Sequence, residues 1–335
     1  MNVSLVSIVI PFKNTVHYLK DCLDSILAQT YQNWEVIAIN DHSTDNSLVL
    51  VNSYAEKDNR IKVFANTGQG IIPALQLAYS KSSGNFITRM DSDDIMQPNR
   101  LKVMVESLLQ YGKGNVSVGQ VRYFSDRGIS DGYSRYEKWL NGLTELGTNY
   151  AEIYKECVIP SPCWMVYRED FDICGGFQSN RYPEDYDLTF RFYQHNLKII
   201  PCNEVLLLWR DYDTRTSRTH EHYAQNYFLD IKLHYFLHLD YNEKRPLVIW
   251  GAGFKGKKIA KGLIEKNIDF FWLCDNPKKI DKKIYGQELH HFSKLESLTN
   301  PQSLITVANT SAQSDIKEYL KSLHHQQALD YFFFC

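Results

Sequence analysis

What this sequence lacks narrows its class before any motif is read. Its seven cysteines, at 22, 157, 163, 174, 202, 274 and 335, never fall in a CxxC pair. An odd and scattered set argues against a disulfide framework and against a zinc site, which leaves free thiols. No apolar run approaches the ~20 residues that a membrane-spanning helix needs. The opening stretch MNVSLVSIVIPF has no basic segment ahead of its apolar run, which Pro11 and Lys13 interrupt. Neither a signal peptide nor an anchor is therefore expected, and the expected address is the cytoplasm. An excess of one charge is missing too. The 37 Lys and Arg stand against 39 Asp and Glu, so no global basic field invites nucleic acid. Internal repeats and low-complexity segments are absent. What is left is a chain of 335 residues, 44% hydrophobic and 23% charged, with the composition of a globular protein and a length that favours two domains.

Strands and helices alternate over the first 120 residues. VSIVIPF (6–12), WEVIAIN (34–40), IKVFAN (61–66) and NFITRM (85–90) read as strands. Helices are predicted at 16–29, capped by Asn14 or Thr15, at 47–56, at 71–80, and from a first turn containing Pro98 to Leu109. The alternation predicts an α/β fold whose mostly parallel sheet is flanked by helices and binds ligands beyond the carboxyl ends of its strands. Three polar clusters sit at those ends: PFKN (11–14), NDHSTDN (40–46) and DSDD (91–94).

From 121 to 245 the pattern loosens. Helices are expected at 135–146, 183–195 and 223–239, short strands at 163–168 and 205–210, and a polar loop after Arg210. The βα pattern restarts after DYNEKR. Strands near 247–250, 270–275, 303–309 and 330–334, with a helix at 314–323, give a second unit of roughly four strands. Domains are accordingly expected at 1–240 and 241–335.

RMDSDDIM (89–96) crowds Asp91, Asp93 and Asp94 into four positions. Such a cluster is either a solvated turn or a set of hard oxygen ligands for Mg2+ or Mn2+. An EF-hand is excluded, because the sixth and twelfth positions counted from Asp91 are Met96 and Lys102. Asp45 has an alternative role as the cap of the helix near Ser47, and so, less directly, has Asp41. Further on, GAGFKG carries Gly251, Gly253 and Gly256 between a strand and a helix, with Asp275 nineteen residues beyond at a strand end. That is the context of a dinucleotide site, which admits NAD as a cofactor.

In order and spacing, VSIVIPFKN, INDHSTDNS, GNFITRMDSDD and GGFQSNRYPEDYDLTFR resemble the inverting nucleotide-sugar glycosyltransferases of family 2, with the GT-A fold, over residues 4–240. The resemblance implies a nucleoside-diphosphate sugar donor, UDP- or dTDP-linked, and roles for particular residues. Pro11, Phe12 and Asn14 would line the nucleotide pocket, and Asp41 would accept a hydrogen bond from the base. Asp91 would touch donor or metal, Asp93 would ligate Mn2+ or Mg2+, and Asp94 would support them. Arg89 would contact phosphate or ribose, or else pair with Asp94. Asp185, beside Glu184, would be the general base. Arg215, with Arg210, Arg218 and His220, would close over the diphosphate or form a solvated loop. Residues 161–170 and 175–177 would shape the acceptor side or pack the core.

The implied acceptor is a saccharide or lipid-linked saccharide of polysaccharide, lipopolysaccharide or glycan assembly, with at most peripheral association at the inner face of the plasma membrane. One departure stands out. The common Ala-Arg-Asn after the third strand is absent from IIPALQLAYS (71–80), where Leu75 and Gln76 fill the last two places, so contacts of that Arg do not transfer. Two other functions compete: an NAD-dependent sugar-nucleotide oxidoreductase built on GAGFKG, and a non-catalytic sugar-nucleotide scaffold. The second unit resembles small Rossmann-like domains appended to sugar-modifying transferases, as a nucleotide-binding module or as a docking appendage.

Overall fold

A computed structural model describes residues 4–215 and 228–335. The chain divides into two compact units, Met1–Asn149 with Val158–Arg215, and Tyr150–Cys157 with Thr216–Cys335.

In the first unit the elements run β1 (Val6–Phe12), α1 (Val16–Leu27), β2 (Trp34–Asn40), α2 (Ser47–Ala55), β3 (Ile61–Ala65), α3 (Ile71–Lys81), β4 (Phe86–Arg89), β5 (Ile95–Met96) and α4 (Arg100–Tyr111). They continue with β6 (Asn115–Phe124), α5 (Asp131–Leu146), β7 (Trp164–Tyr167), α6 (Arg168–Ile173), α7 (Glu184–Gln194) and β8 (Lys198–Arg210). β2 is buried along its whole length, Glu35 and Asn40 included, as befits a mostly apolar strand in a sheet covered on both faces. The sheet order is β3-β2-β1-β4-β7-β6-β8-β5. β1 is parallel to β2 and β4, whereas β7 runs antiparallel to both β4 and β6.

Three local expectations are corrected. β6 and the first half of β8 were not predicted. β6 carries Gly119 where a Cβ would lie 2.8 Å from Leu206 and 2.9 Å from Cys163, and its register against β8 shifts on either side of Gln120, so its alternation is broken. α4 begins at Arg100, leaving Pro98 outside it with its carbonyl accepting from Thr30 N at 2.8 Å. Thr15 stands at the start of α1 but its hydroxyl caps nothing. The free amides there are met from the α2 side, Val16 N by Asp45 Oδ2 (3.2 Å) and Thr15 N by Ser47 Oγ (2.9 Å).

The second unit contains α8 (Leu229–Leu239), β9 (Leu247–Trp250), α9 (Phe254–Glu265), β10 (Phe271–Cys274), β11 (Lys283–Ile284), β12 (Gln287–His291), β13 (Gln302–Ile305), α10 (Thr310–Ser322) and β14 (Tyr331–Phe333). Its sheet has six strands in the order β11-β12-β10-β9-β13-β14, parallel except for the β11–β12 hairpin. That hairpin accounts for the excess over the four expected. It turns on Tyr285 and Gly286, both at positive φ (55° and 82°), a geometry more often announced by Asn-Gly. Residues 150–157 belong to this unit through Tyr154. Its ring stacks on Phe334 at 5.4 Å, meets Phe236 and Phe332 edge-on, and its hydroxyl donates to Asp240.

Candidate active site

The carboxyl ends of β1, β2 and β4 meet at one edge of the first sheet, where the register pairs Phe12 with Asn40 and Val9 with Arg89. Phe12 is buried, and its carbonyl accepts from Asp41 N at 2.9 Å, which ties the two loops together. Asn14, at φ 52°, accepts from Thr44 N (2.8 Å) and receives its own fixing from Ser43 Oγ (3.1 Å). The 11–14 and 40–46 clusters are therefore one structure. Asp41 is buried beneath them. Its Oδ1 accepts from Asn66 Nδ2 (2.7 Å) and Gly70 N (3.0 Å), and its Oδ2 lies 3.5 Å from Lys13 Nζ.

At the end of β4, Arg89 is buried and holds two acids at once. Its Nε donates to Asp91 Oδ1 and its Nη1 to Glu184 Oε1, each at 2.9 Å. The expected pair with Asp94 is thus replaced by pairs with Asp91 and Glu184. Residues i and i+2 of extended chain share a face, so Arg89 naturally meets Asp91. Despite the cost of burial, the two carboxylates and nearby Asp185 hold the guanidinium firmly charged.

Glu184 and Asp185 are the first residues of α7, whose N-terminal dipole favours acids. Asp185 is half-buried, and its Oδ1 accepts from Tyr186 N at 2.8 Å. Burial first and Glu184 second push its carboxyl up to about 7, with Arg89 pulling the other way. A carboxylate tuned near neutrality suits proton abstraction at physiological pH.

On the other flank of the acidic cluster, Asp93 Oδ2 accepts from Tyr212 OH and its carbonyl from Arg210 Nε, both at 2.8 Å. Burial and then Asp91 raise Asp93, while the charge of Arg215 lowers it. Arg215 lies with its guanidinium 5.1 Å from the Trp209 ring and acts electrostatically on all three aspartates. Arg218 and His220 fall outside the described residues. Asp94 is fully buried, and its Oδ1 accepts from Arg210 N at 2.8 Å. Beneath it lies the fully buried Arg100, donating to Thr88 Oγ1 (2.9 Å) and the Arg89 carbonyl (3.1 Å).

Among the described residues no three His, Cys, Asp or Glu side chains gather as a self-sufficient metal cage. Asp91 and Asp93 nevertheless suit a hard cation. Each gives one oxygen to a fixed donor, Arg89 or Tyr212, and offers hard carboxylate chemistry with room in the coordination sphere for phosphate.

Sequence reasoning did not single out Tyr212, Arg100, Asn66 or Gly70. Nothing local marks Tyr212; a basic residue at the start of the helix after DSDD was the one available signal for Arg100. The expected acceptor-side stretch is largely core. Phe171 stacks on Trp164 at 5.8 Å and meets Phe177 edge-on at 4.8 Å.

In the second unit Gly251 (φ 120°) and Gly256 pack so closely that a Cβ on Gly256 would lie 2.0 Å from the Gly251 carbonyl. Gly253 is the N-cap of α9, Asp275 is exposed just past β10, and Lys279 Nζ donates to the Ala252 carbonyl at 2.8 Å.

Loops converging at one strand edge, with paired acids at the end of the fourth strand and a tuned acid at a helix start, fit a GT-A type architecture. The structure of Staphylococcus aureus TarS (residues 1–349, in complex with UDP-GlcNAc) superposes with a TM-score of 0.52 at 17% identity, covering 78% of this chain and 72% of that one. The profile of glycosyl transferase family 2 matches residues 7–174, half of the sequence, and the chain belongs to that family. The glycosyltransferases GlyA and GlyG of Streptococcus pneumoniae are 27% and 29% identical to it over 213 and 227 residues. Those matches cover 61% and 64% of this chain, and span 30% of GlyA and 73% of GlyG. No described helix is long and apolar enough to cross a membrane.

Proposed function

We propose that the first unit transfers a sugar, with inversion, from a UDP-linked donor to an acceptor hydroxyl. The observation that carries this reading is Arg89, which joins Asp91 of the acidic cluster to Glu184, the neighbour of the tuned Asp185. One arginine thereby holds the donor-side acid and the base-side acid in fixed relation. The family supports a glycosyl donor, and the UDP-GlcNAc in the TarS structure supports a UDP-linked one.

Asp185 takes the proton of the acceptor hydroxyl as its oxygen forms a bond to the anomeric carbon. The carbon–oxygen bond to the diphosphate breaks on the opposite face, and its electron pair leaves on the phosphate. Phe12, Asn14 and Asp41 hold the nucleotide, and Arg215 supplies positive charge toward the phosphates. Asp91 and Asp93 would hold Mn2+ or Mg2+, which when bound supplies Lewis-acid stabilisation of the leaving diphosphate. The second unit, with its GAGFKG loop, is proposed as a Rossmann-like appendage to this transferase.

A donor screen by nucleoside-diphosphate release with Mn2+ or Mg2+ tests the reading, with Asp93→Ala and Asp185→Asn as controls. Release dependent on the cation and lost in Asp93→Ala is expected. Stabilisation by NAD(H) alone, with no release from any sugar nucleotide, would overturn it in favour of an oxidoreductase. Binding without release would favour a scaffold.

A further inference from the structure

We infer that Asp94 is a positioning residue, which zips β8 past the end of its ladder and so delivers the Tyr212 hydroxyl to the cation-ligating oxygen pair of Asp93. The inference rests on the cation reading of Asp91 and Asp93 given above.

The β5–β8 ladder is only two residues long, Ile95 opposite Leu208 and Met96 opposite Leu207. Beyond Leu208 the backbone of β8 has no further strand partner on that side among the described residues. Asp94 supplies one: its Oδ1 accepts from Arg210 N at 2.8 Å, extending the pairing by a side chain. Arg210 then returns a contact, its Nε donating to the Asp93 carbonyl at 2.8 Å while its Nη2 reaches Asp21 Oδ2 at 2.8 Å. The Arg210 guanidinium lies 4.9 Å from the Tyr18 ring and 4.6 Å from Phe124. On the far side Asp211 N donates to the Phe124 carbonyl at 2.9 Å. The chain at 210–211 is thus clamped from both neighbours. Tyr212, packed on Tyr18 at 4.5 Å, is carried to Asp93 Oδ2 at 2.8 Å.

Asp94 is fully buried, and its second oxygen has no hydrogen-bond partner among the described residues. A carboxylate placed there for packing alone would be a poor choice, because a buried polar oxygen left unmet is costly. Arg100, fully buried in the same interior, donates to Thr88 Oγ1 and to the Arg89 carbonyl. A buried acid and a buried arginine beneath the cluster make sense if the acid must hold a backbone amide at a fixed place. Asn in that position keeps the acceptor oxygen; Ala does not.

The test measures Mn2+ binding in the presence of UDP by the loss of the free-ion electron paramagnetic resonance signal, alongside donor KM and kcat. In Asp94→Ala, Mn2+ affinity is expected to fall about tenfold, the scale of one hydrogen bond to a charged group, with donor KM rising in parallel and kcat moving far less. Asp94→Asn is expected to restore Mn2+ binding. Tyr212→Phe, a half-exposed change that leaves the core untouched, is expected to reproduce the Asp94→Ala loss, which keeps the inference testable if Asp94→Ala folds poorly. Mn2+ binding in Tyr212→Phe equal to that of the unaltered protein would overturn the inference, as would an Asp94→Asn defect as large as that of Asp94→Ala. If Asp93→Ala also binds Mn2+ and UDP normally, the cation reading itself falls and this inference with it; a loss confined to Asp93→Ala overturns only the inference.

Discussion

If Asp185 is the base, its ionisation sets the acid limb of the pH profile, and Glu184 sets where that limb lies. The group stands at about 7 against an ordinary 3.8, through burial first and Glu184 second. A raised carboxyl is protonated, and useless as a base, below its pKa. With donor and acceptor well below saturation, kcat/KM should therefore rise with pH, level off above about 7, and at pH 6 stand near one tenth of its plateau. Now take Glu184→Gln, which removes one like charge and leaves Arg89 to act on fewer acids. A neighbouring like charge at an effective dielectric near 20, with solvent screening on the half-exposed flank, is worth about 1–2 kcal/mol, on the order of one pKa unit. The limb should move about one unit toward lower pH, whatever happens to the height of the plateau. Profiles from pH 5 to 9 by diphosphate release check both statements, with Asp185→Asn expected to lose at least about a hundredfold in kcat while still binding donor. A wild-type midpoint at or below pH 5, or a limb that moves upward in Glu184→Gln, would refute the assignment.

Three other outcomes are expected on stability. Glu35, the second residue of β2, accepts from Ser7 Oγ, Ser83 N and Lys62 Nζ and is drawn down to about 2 by those bonds against its burial. Its contribution is therefore present above about 4.5 and is lost as pH falls toward 2. Glu35→Ala should lower denaturant-unfolding stability by about 3 kcal/mol at pH 7 and by much less at pH 3. Gly256→Ala forces a Cβ to within 2.0 Å of the Gly251 carbonyl, and should destabilise the second unit by about 3 kcal/mol, read as an early transition in thermal unfolding. Tyr154→Ala empties the aromatic cluster of Phe236, Phe332 and Phe334, at a cost of about 3–5 kcal/mol in the second unit, whereas Tyr154→Phe should lose only the bond to Asp240.

The parts of the fold that could be read from sequence are those where burial is two-sided. β1, β2 and β4 are mostly apolar and almost wholly buried because a parallel sheet is covered on both faces, with Ser7, Glu35 and Thr88 as polar exceptions, and their ends could be placed within a residue or so. β6 could not, because Gly119 sits where a neighbouring strand's side chains press in, and a bulge resets the alternation. The site was legible in the same uneven way. Asp41, Asp91, Asp93 and Asp185 announce themselves by residue type and by position at an element's end. Their partners do not: Asn66 and Gly70 reach Asp41 from the loop after β3, and Glu184 reaches Arg89 across 95 residues of sequence. Such contacts are set by which strand ends the topology brings together, and no local pattern encodes them.

That distinction bears on what the acidic cluster is. A surface turn would leave Asp91, Asp93 and Asp94 solvated and interchangeable. Instead each accepts a hydrogen bond from a different partner: Asp91 from Arg89 at the end of β4, Asp93 from Tyr212, and Asp94 from the backbone of Arg210. Three like charges within four positions repel, and a free turn would relax by rotating them apart. Holding each carboxylate by one oxygen blocks that relaxation and fixes the direction of the other. The energy of crowding is then kept in place, and under the proposed function a cation and a diphosphate would relieve it. Preorganisation of this kind places the cost of assembling the ligands in folding rather than in binding. It also assigns unequal roles, because only Asp94 is shut away from solvent while Asp91 and Asp93 remain partly open. The two partly open acids are available to ligate, and the enclosed one can act only through the chain it holds.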